Sequence, residues 1–165
     1  MSISLLNNSQ KCPCCSGKQF SLCCQPFLMG KESPQTVLQL MRSRYTAYNT
    51  LNIDYIQQTM SGEAAAGFDQ QNAKQWAQNI KWCGLKIIDS GQQRADLEKD
   101  EVEFAAKYVI GEELNILQER SEFHKINGNW LYMSGKLLPH QPTKIKRNDF
   151  CPCGSRKKFV KCCGK

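Results

Sequence analysis

Eight of the ten cysteines in this 165-residue chain lie in two thirteen-residue stretches, "CPCCSGKQFSLCC" from Cys12 to Cys24 and "CPCGSRKKFVKCC" from Cys151 to Cys163. Each stretch reads C-x-C-x8-C-C, and the two agree at eight of thirteen positions without a gap. Four thiolates suffice for one tetrahedral zinc ion, so the pattern nominates Cys12, Cys14, Cys23 and Cys24 for one Zn2+ and Cys151, Cys153, Cys162 and Cys163 for a second. The gap inside the first ligand pair is shorter than usual, and the duplication carries the reading. Pro13 and Pro152 fix φ between the first two ligands, Gly154 can take a positive φ behind the metal, and Phe20 and Phe159 are the main apolar bulk of each loop. A unit this small buries too little surface to fold unaided, so metal binding must supply its stability.

Other uses of the thiols are weaker. Free buried thiols would need a core that thirteen residues do not provide, and disulfides would need an oxidising compartment. The start "MSISLLNNSQK" shows neither a charged leader nor a long apolar segment, and no apolar run approaches the roughly 20 residues of a membrane span. The expectation is a cytoplasmic protein, where clustered cysteines favour metal. A redox switch that releases metal on oxidation stays open. Cys15, standing where the second copy has Gly154, is either a spare thiol or a competitor for the metal, and Cys83 beside Trp82 reads as a core cysteine.

The elements between these ends must position them. A hydrophobic fraction of 41% with seven Phe, five Tyr and three Trp supplies one core, and the chain divides into modules 1–30 and 141–165 around a middle domain, 31–140. Ser33-Pro34 reads as a helix start, Ser as N-cap and Pro at the first helical position, with Val37, Leu38, Leu40, Met41, Tyr45, Ala47 and Tyr48 at helical spacing after it. Shorter helices are expected over about 53–60, after Asn52, and about 70–82, carrying Trp76, Ile80 and Trp82. The period then changes to two. "GLKIIDSG", "EVEFAAKYVIG", "LNILQERSEFHKING" and "NWLYMSG" read as strands, with Val102, Phe104, Ala106, Tyr108 and Ile110 on one face and a turn at Asn127-Gly128. Helices followed by an antiparallel meander indicate an α+β domain.

Both cysteine stretches resemble the SEC-C motif, the small zinc-binding element at the C-terminus of the preprotein translocase ATPase SecA. Together with "LMRSRYTAY" (Leu40 to Tyr48), "ERSEF" (Glu119 to Phe123) and "WLYMSG" (Trp130 to Gly135), they make nearly the whole chain similar to the bacterial YchJ-like family. The resemblance implies a middle domain of the nuclear-transport-factor-two-like (NTF2-like) fold, a cone in which a curved antiparallel sheet wraps around helices, flanked by two small zinc modules. It implies no activity.

Such a fold often encloses a pocket, and catalysis there would need a positioned acid or base. The candidates are few. His124 falls on the polar face of a strand, His140 in the "LPHQP" linker, and Asp54 early in a helix where it matches the dipole. Arg44 is more telling, because it falls inside the apolar arc of the first helix while Arg42 falls outside it. A buried guanidinium needs an anionic partner, and Glu119 shares the inward strand face with Leu117 and Phe123. The expectation is an Arg44–Glu119 pair, direct or water-bridged, either as an internal brace or, with Tyr45 and Trp130, as the lining of a small polar pocket.

Charge is concentrated at one end. The formal net charge is +7, and residues 144–165, with eight basic side chains and Asp149, carry all of that excess. Two sites of four thiolates and one Zn2+ would bring the chain to about +3 and leave the C-terminal module near +5. Lys144, Lys146, Arg147, Arg156, Lys157, Lys158 and Lys161 thus form a cationic surface, with Lys146, Arg147, Arg156, Lys157, Lys158 and Lys161 the candidate contacts. In SecA the resembling element contacts the acidic export chaperone SecB and lipid head groups, which makes an acidic protein surface the first expected partner. Nucleic acid or the ribosome comes second, because the patch lacks interleaved exposed aromatics and a recognition-helix motif. The reading is a non-enzymatic zinc-binding adaptor, with a small enzyme or ligand binder as the alternative. A closed apolar interior would mark the first and an open cavity with convergent ionisable groups the second.

Overall fold

Capping chemistry sets where the helices begin. In the computed structural model, which describes residues 9–94 and 96–164, α1 covers Gln25–Leu28, α2 Val37–Asn49, α3 Ile53–Gln58, α4 Gly62–Ala66 and α5 Gln70–Asn79. Residues 1–8, on which most of the leader expectation rests, and the terminal Lys165 lie outside the described residues. The longest helix starts three residues later than Ser33-Pro34 implied. Thr36 is its N-cap, in a reciprocal capping box with Gln39. Asn52 and Asp69 cap α3 and α5 through their side chains. The last helix stops at Asn79, and Trp82 belongs to a strand instead.

Four strands, β1 Lys81–Asp89, β2 Lys99–Ile110, β3 Glu113–Ile126 and β4 Asn129–Leu138, form an antiparallel meander in the order β1-β2-β3-β4. A fifth, β5 Thr143–Lys144, pairs with the start of β3, so the expected C-terminal module begins inside the sheet. Asn127 and Gly128 both take positive φ, 49° and 79°, in the two-residue turn between β3 and β4. Val102, Phe104 and Ala106 are buried on the helix-facing side of β2, while Ile110 at its end is 45% exposed. The architecture is helices on a five-stranded antiparallel sheet, an α+β fold.

Irregularities in pairing aim side chains into the site. Between β1 and β2 the register shifts around Cys83. The extra residue lets Trp82 and Leu85 join the main core while Cys83 faces a second cluster. A similar shift between β3 and β4 leaves Met133 without a partner and sets Tyr132 opposite Phe123.

The main core joins Leu40, Tyr45, Ile56, Val102 and Phe123 to Cys12, Cys14, Phe20 and Cys24 of the N-terminal module. That module packs into the same core as the middle domain. Fully buried side chains such as Leu40, Ile56 and Phe123 each contribute roughly 1.5–3 kcal/mol. A separate cluster of Cys83, Val109, Ile145, Cys151 and Phe159 seats the C-terminal module.

Candidate metal centres, basic surface and cavity

The two cysteine stretches fold alike. In each, the first cysteine amide donates to the lysine carbonyl six residues on, Cys12 to Lys18 and Cys151 to Lys157, both at 2.8 Å. The serines occupy equivalent places: Ser16 Oγ lies 3.2 Å from Cys23 Sγ, and Ser155 Oγ 3.3 Å from Cys162 Sγ. The left-handed position behind the first ligand pair is Cys15 in one copy (φ 59°) and Gly154 in the other (φ 79°). Phe20 and Phe159 close the bases of the loops and are buried.

This backbone gathers Cys12, Cys14, Cys23 and Cys24 into one group and Cys151, Cys153, Cys162 and Cys163 into another, with all four sulfurs of a group within 4.8 Å of one another. Cys14 and Cys23 are 3.5 Å apart, Cys23 and Cys24 3.8 Å, and Cys153 lies 3.3 Å from Cys151 and 3.5 Å from Cys162. A tetrahedral tetrathiolate site with metal–sulfur bonds near 2.3 Å needs separations of about 3.8 Å. Both groups fit a single metal ion.

Their electrostatics ask for a cation. The thiols of Cys12 and Cys24 donate to Cys14 and hold it as a thiolate, far below the usual range. In return Cys12 is pushed up to about 12, chiefly by Cys14, and Cys24 is driven up by Cys12 and Cys14. In the second group burial pushes Cys153 up, but hydrogen bonds from Ser155 and Cys151 outweigh it and bring it to about 6, while burial raises Cys151 and Cys163. Four crowded thiols cannot all ionise by themselves, and a divalent ion removes the conflict by holding them deprotonated.

Neither remaining cysteine belongs to a group. Cys15 is exposed, and its sulfur receives the Leu85 backbone N–H at 3.4 Å from β1. Cys83 is not in the main core but in the cluster under the C-terminal module, where burial pushes it up to about 11. Arg42, outside the apolar arc of α2, donates to the Cys14 carbonyl at 2.6 Å, and Cys12 Sγ lies 3.8 Å from Thr46 Oγ1 on the same helix.

Lys144, Lys146, Arg147, Arg156, Lys157, Lys158 and Lys161 are all exposed, and none forms an ion pair among the described residues. The patch does include an exposed aromatic that sequence reasoning missed. Phe150 is 70% exposed, with Lys158 Nζ 4.5 Å above its ring. Its place just before Cys151 outside the loop was the available signal.

Between the helices and the sheet lies a cavity of about 680 Å3. Its floor and walls include Arg44, Tyr45, Tyr48, Trp76, Trp82, Phe104, Glu119 and Tyr132, and its rim the exposed Glu63, Asp69 and Asn72. Arg44 is buried as expected, but it does not pair directly with Glu119. Its Nη1 donates to Ile56 O (2.9 Å), Thr59 Oγ1 (2.8 Å) and Thr59 O (3.2 Å), and its guanidinium lies 4.6 Å from the centre of the Tyr132 ring. The Tyr132 hydroxyl in turn donates to Glu119 Oε1 at 2.9 Å, as does Ser121 Oγ at 2.7 Å. Tyr132 thus stands between the two charges. Gly135 makes room for this arrangement, since a Cβ there would collide with the Glu119 carboxylate and lie 2.5 Å from the Tyr132 hydroxyl oxygen. Trp130 is not part of the cavity, and its indole N–H donates to Gln35 O at 3.2 Å. His124 pairs with Glu122 and His140 with Gln118, and neither lines the cavity.

A family model described as YchJ, middle NTF2-like domain, matches residues 36–135, more than half of the chain. The chain belongs to the YchJ family. A second model, the SEC-C motif, matches residues 147–165. A UPF0225 protein of Geobacter sulfurreducens is 42% identical over 157 residues, covering 93% of this chain and 97% of the relative, and one of Actinobacillus succinogenes is 40% identical, covering 93% and 96%. Two solved structures of SEC-C motif containing proteins are similar. The one from Rhodopseudomonas palustris has a TM-score of 0.71 at 30% identity over 79% of this chain and 100% of its own. The one from Psychrobacter arcticus has a TM-score of 0.68 at 26% identity over 95% and 97%. The family accounts for the sheet that carries the cavity and for the C-terminal cysteine group. No helix among the described residues is long and apolar enough to cross a membrane.

Proposed function

We propose that the protein is a zinc-held, non-enzymatic adaptor. Each four-cysteine group binds one Zn2+, and the C-terminal module docks through its cations on an acidic protein surface of the kind an export chaperone presents. The donor set supports the zinc assignment, because four thiolates are the soft ligands of closed structural sites and leave no position for substrate. The observation that carries the docking role is the set of exposed cations, Lys144 to Lys161, without ion pairs among the described residues. A cation array anchored beside a metal keeps its charge where a partner can find it, and such charge acts mainly on the association rate.

The test is to replace Arg156, Lys157, Lys158 and Lys161 together with Gln in the full chain. Partner capture should weaken while two zinc ions are retained, and unchanged capture would place the contact elsewhere. Competition between an acidic chaperone-like protein and RNA of equal charge, at fixed salt, separates the two partner classes. Displacement of the native partner by RNA would favour nucleic acid, a role to which Phe150 beside Lys158 would lend a stacking surface. The middle domain holds an open cavity in which Arg44 and Glu119 converge, not a closed apolar interior, and this favours the second reading, a small enzyme or ligand binder, which is compatible with docking elsewhere.

A further inference from the structure

The cavity lining holds donors that meet no acceptor among the described residues. Arg44 stacks on the Tyr132 ring and makes its hydrogen bonds through Nη1 alone. Its Nε and Nη2 find no acceptor among the described residues, and no carboxylate comes within 4.0 Å of it. Beside it in the same lining, Trp82 Nε1 is buried without a hydrogen-bond partner among the described residues. Glu119 faces Arg44 only across Tyr132, and a buried guanidinium with no carboxylate in contact and an orphaned indole N–H are both costly in a folded protein. Both are donors, so the missing group is an acceptor that carries negative charge. Glu119 offers the opposite chemistry, since Oε1 is occupied by Ser121 and Tyr132 while Oε2 accepts nothing among the described residues.

The walls restrict the rest of the molecule. Trp82 packs edge-on against Tyr45, Trp76 and Tyr108 at centroid distances of 5.1–5.7 Å, which leaves flat aromatic surfaces around the space. A single guanidinium with acidic Glu63 and Asp69 at the rim disfavours phosphates and other polyanions. The volume is that of an ordinary small-molecule site.

We propose that this cavity binds a small aromatic carboxylate. The carboxylate sits on the free Nε/Nη2 edge of Arg44 and accepts from Trp82 Nε1, the ring lies among the aromatic walls, and an O–H or N–H on the ring donates to Glu119 Oε2. The Arg44 edge is suited to a two-point contact, the strong form of this pairing. The assignment rests on the cavity being a binding site and is independent of the zinc ions and the docking surface.

The experiment titrates 15N-labelled full-length protein with 4-hydroxybenzoate and, separately, with 4-hydroxybenzamide, which keeps the shape and loses the charge. The indole N–H resonances of Trp76, Trp82 and Trp130 are followed. The acid should move Trp82 most and leave Trp130 in place, and the amide should bind at least about tenfold more weakly because it forfeits the charge-assisted contact. Trp82→Phe, which keeps a ring and removes the donor, should weaken the acid by about three- to tenfold. Equal affinity for acid and amide overturns carboxylate recognition while the cavity stands as a binding site. No shift at Trp82 with either compound at about 10 mM, above the millimolar dissociation constant reachable by so small a probe, overturns both. A shift confined to Trp130, or acid binding indifferent to Trp82→Phe, places the ligand elsewhere and also overturns the proposal.

Discussion

Arg44 occupies a position on α2 that helical spacing assigns to the interior, and it is buried there. Its direction was legible in the sequence because the period of one helix is local information. Its partners were not, because Tyr132 reaches it from another element and owes its place to the register shift at Met133. Trp130 shares the strand alternation with Tyr132, yet it is anchored to Gln35 outside the cavity, a contact that alternation cannot foresee. Two outcomes follow. Arg44→Met removes three hydrogen bonds, to Ile56 O, Thr59 O and Thr59 Oγ1, and should cost about 1–3 kcal/mol in urea denaturation, at the lower end because Thr59 O keeps the Tyr132 amide and Ile56 O keeps the Thr59 hydroxyl. Gly135→Ala puts a methyl group against Glu119 and Tyr132 and should cost about 1–3 kcal/mol by the same measurement. A stability loss below experimental error would show that the chain yields there.

The start of α2 shows how two local signals compete. Ser33-Pro34 has the composition of a helix start, but Thr36 and Gln39 satisfy each other's backbone amides, and the helix begins where two donors are capped at once. The spacing of Thr36 and Gln39 was visible in the sequence. Thr36→Ala should therefore cost about 1 kcal/mol, while Ser33→Ala should stay within about 0.5 kcal/mol, both read from thermal or urea melts. The Asn127-Gly128 turn and the β2 alternation were legible because each is fixed by neighbouring residues. The end of α5 was not, because Trp82 fits a helical period as well as a strand, and pairing with Tyr108 across the sheet decides it. The five-residue α4, Gly62–Ala66, buries no residue and so left no periodic trace.

The two cysteine modules look interchangeable in sequence but are embedded differently. Cys12, Cys14 and Cys24 share the main core with α2, whereas the second group rests on a separate patch with Val109 and Ile145. The difference comes from residues outside the motifs, which motif matching does not weigh. If each group holds its proposed metal ion, Cys14→Ser should lower the melting temperature of the whole domain and remove one ion. Cys151→Ser should remove the other ion and loosen the terminus while the main transition stays in place. Metal content and a thermal melt check both, and equal melting for the two variants would contradict the asymmetry. Cys15→Ser and Cys83→Ser should leave the metal count at two. Cys15 has a further consequence. β1 is one of the two outer strands of the meander, paired with β2 alone among the described residues, and its Leu85 amide is received by the Cys15 sulfur. The N-terminal loop therefore shields part of a strand edge that would otherwise be open to strand addition. Stripping metal from that loop should uncover the edge, and the metal-free protein should self-associate in a concentration-dependent way. Light scattering would detect this, and a protein that stays monomeric without metal would show that the edge is guarded by something else.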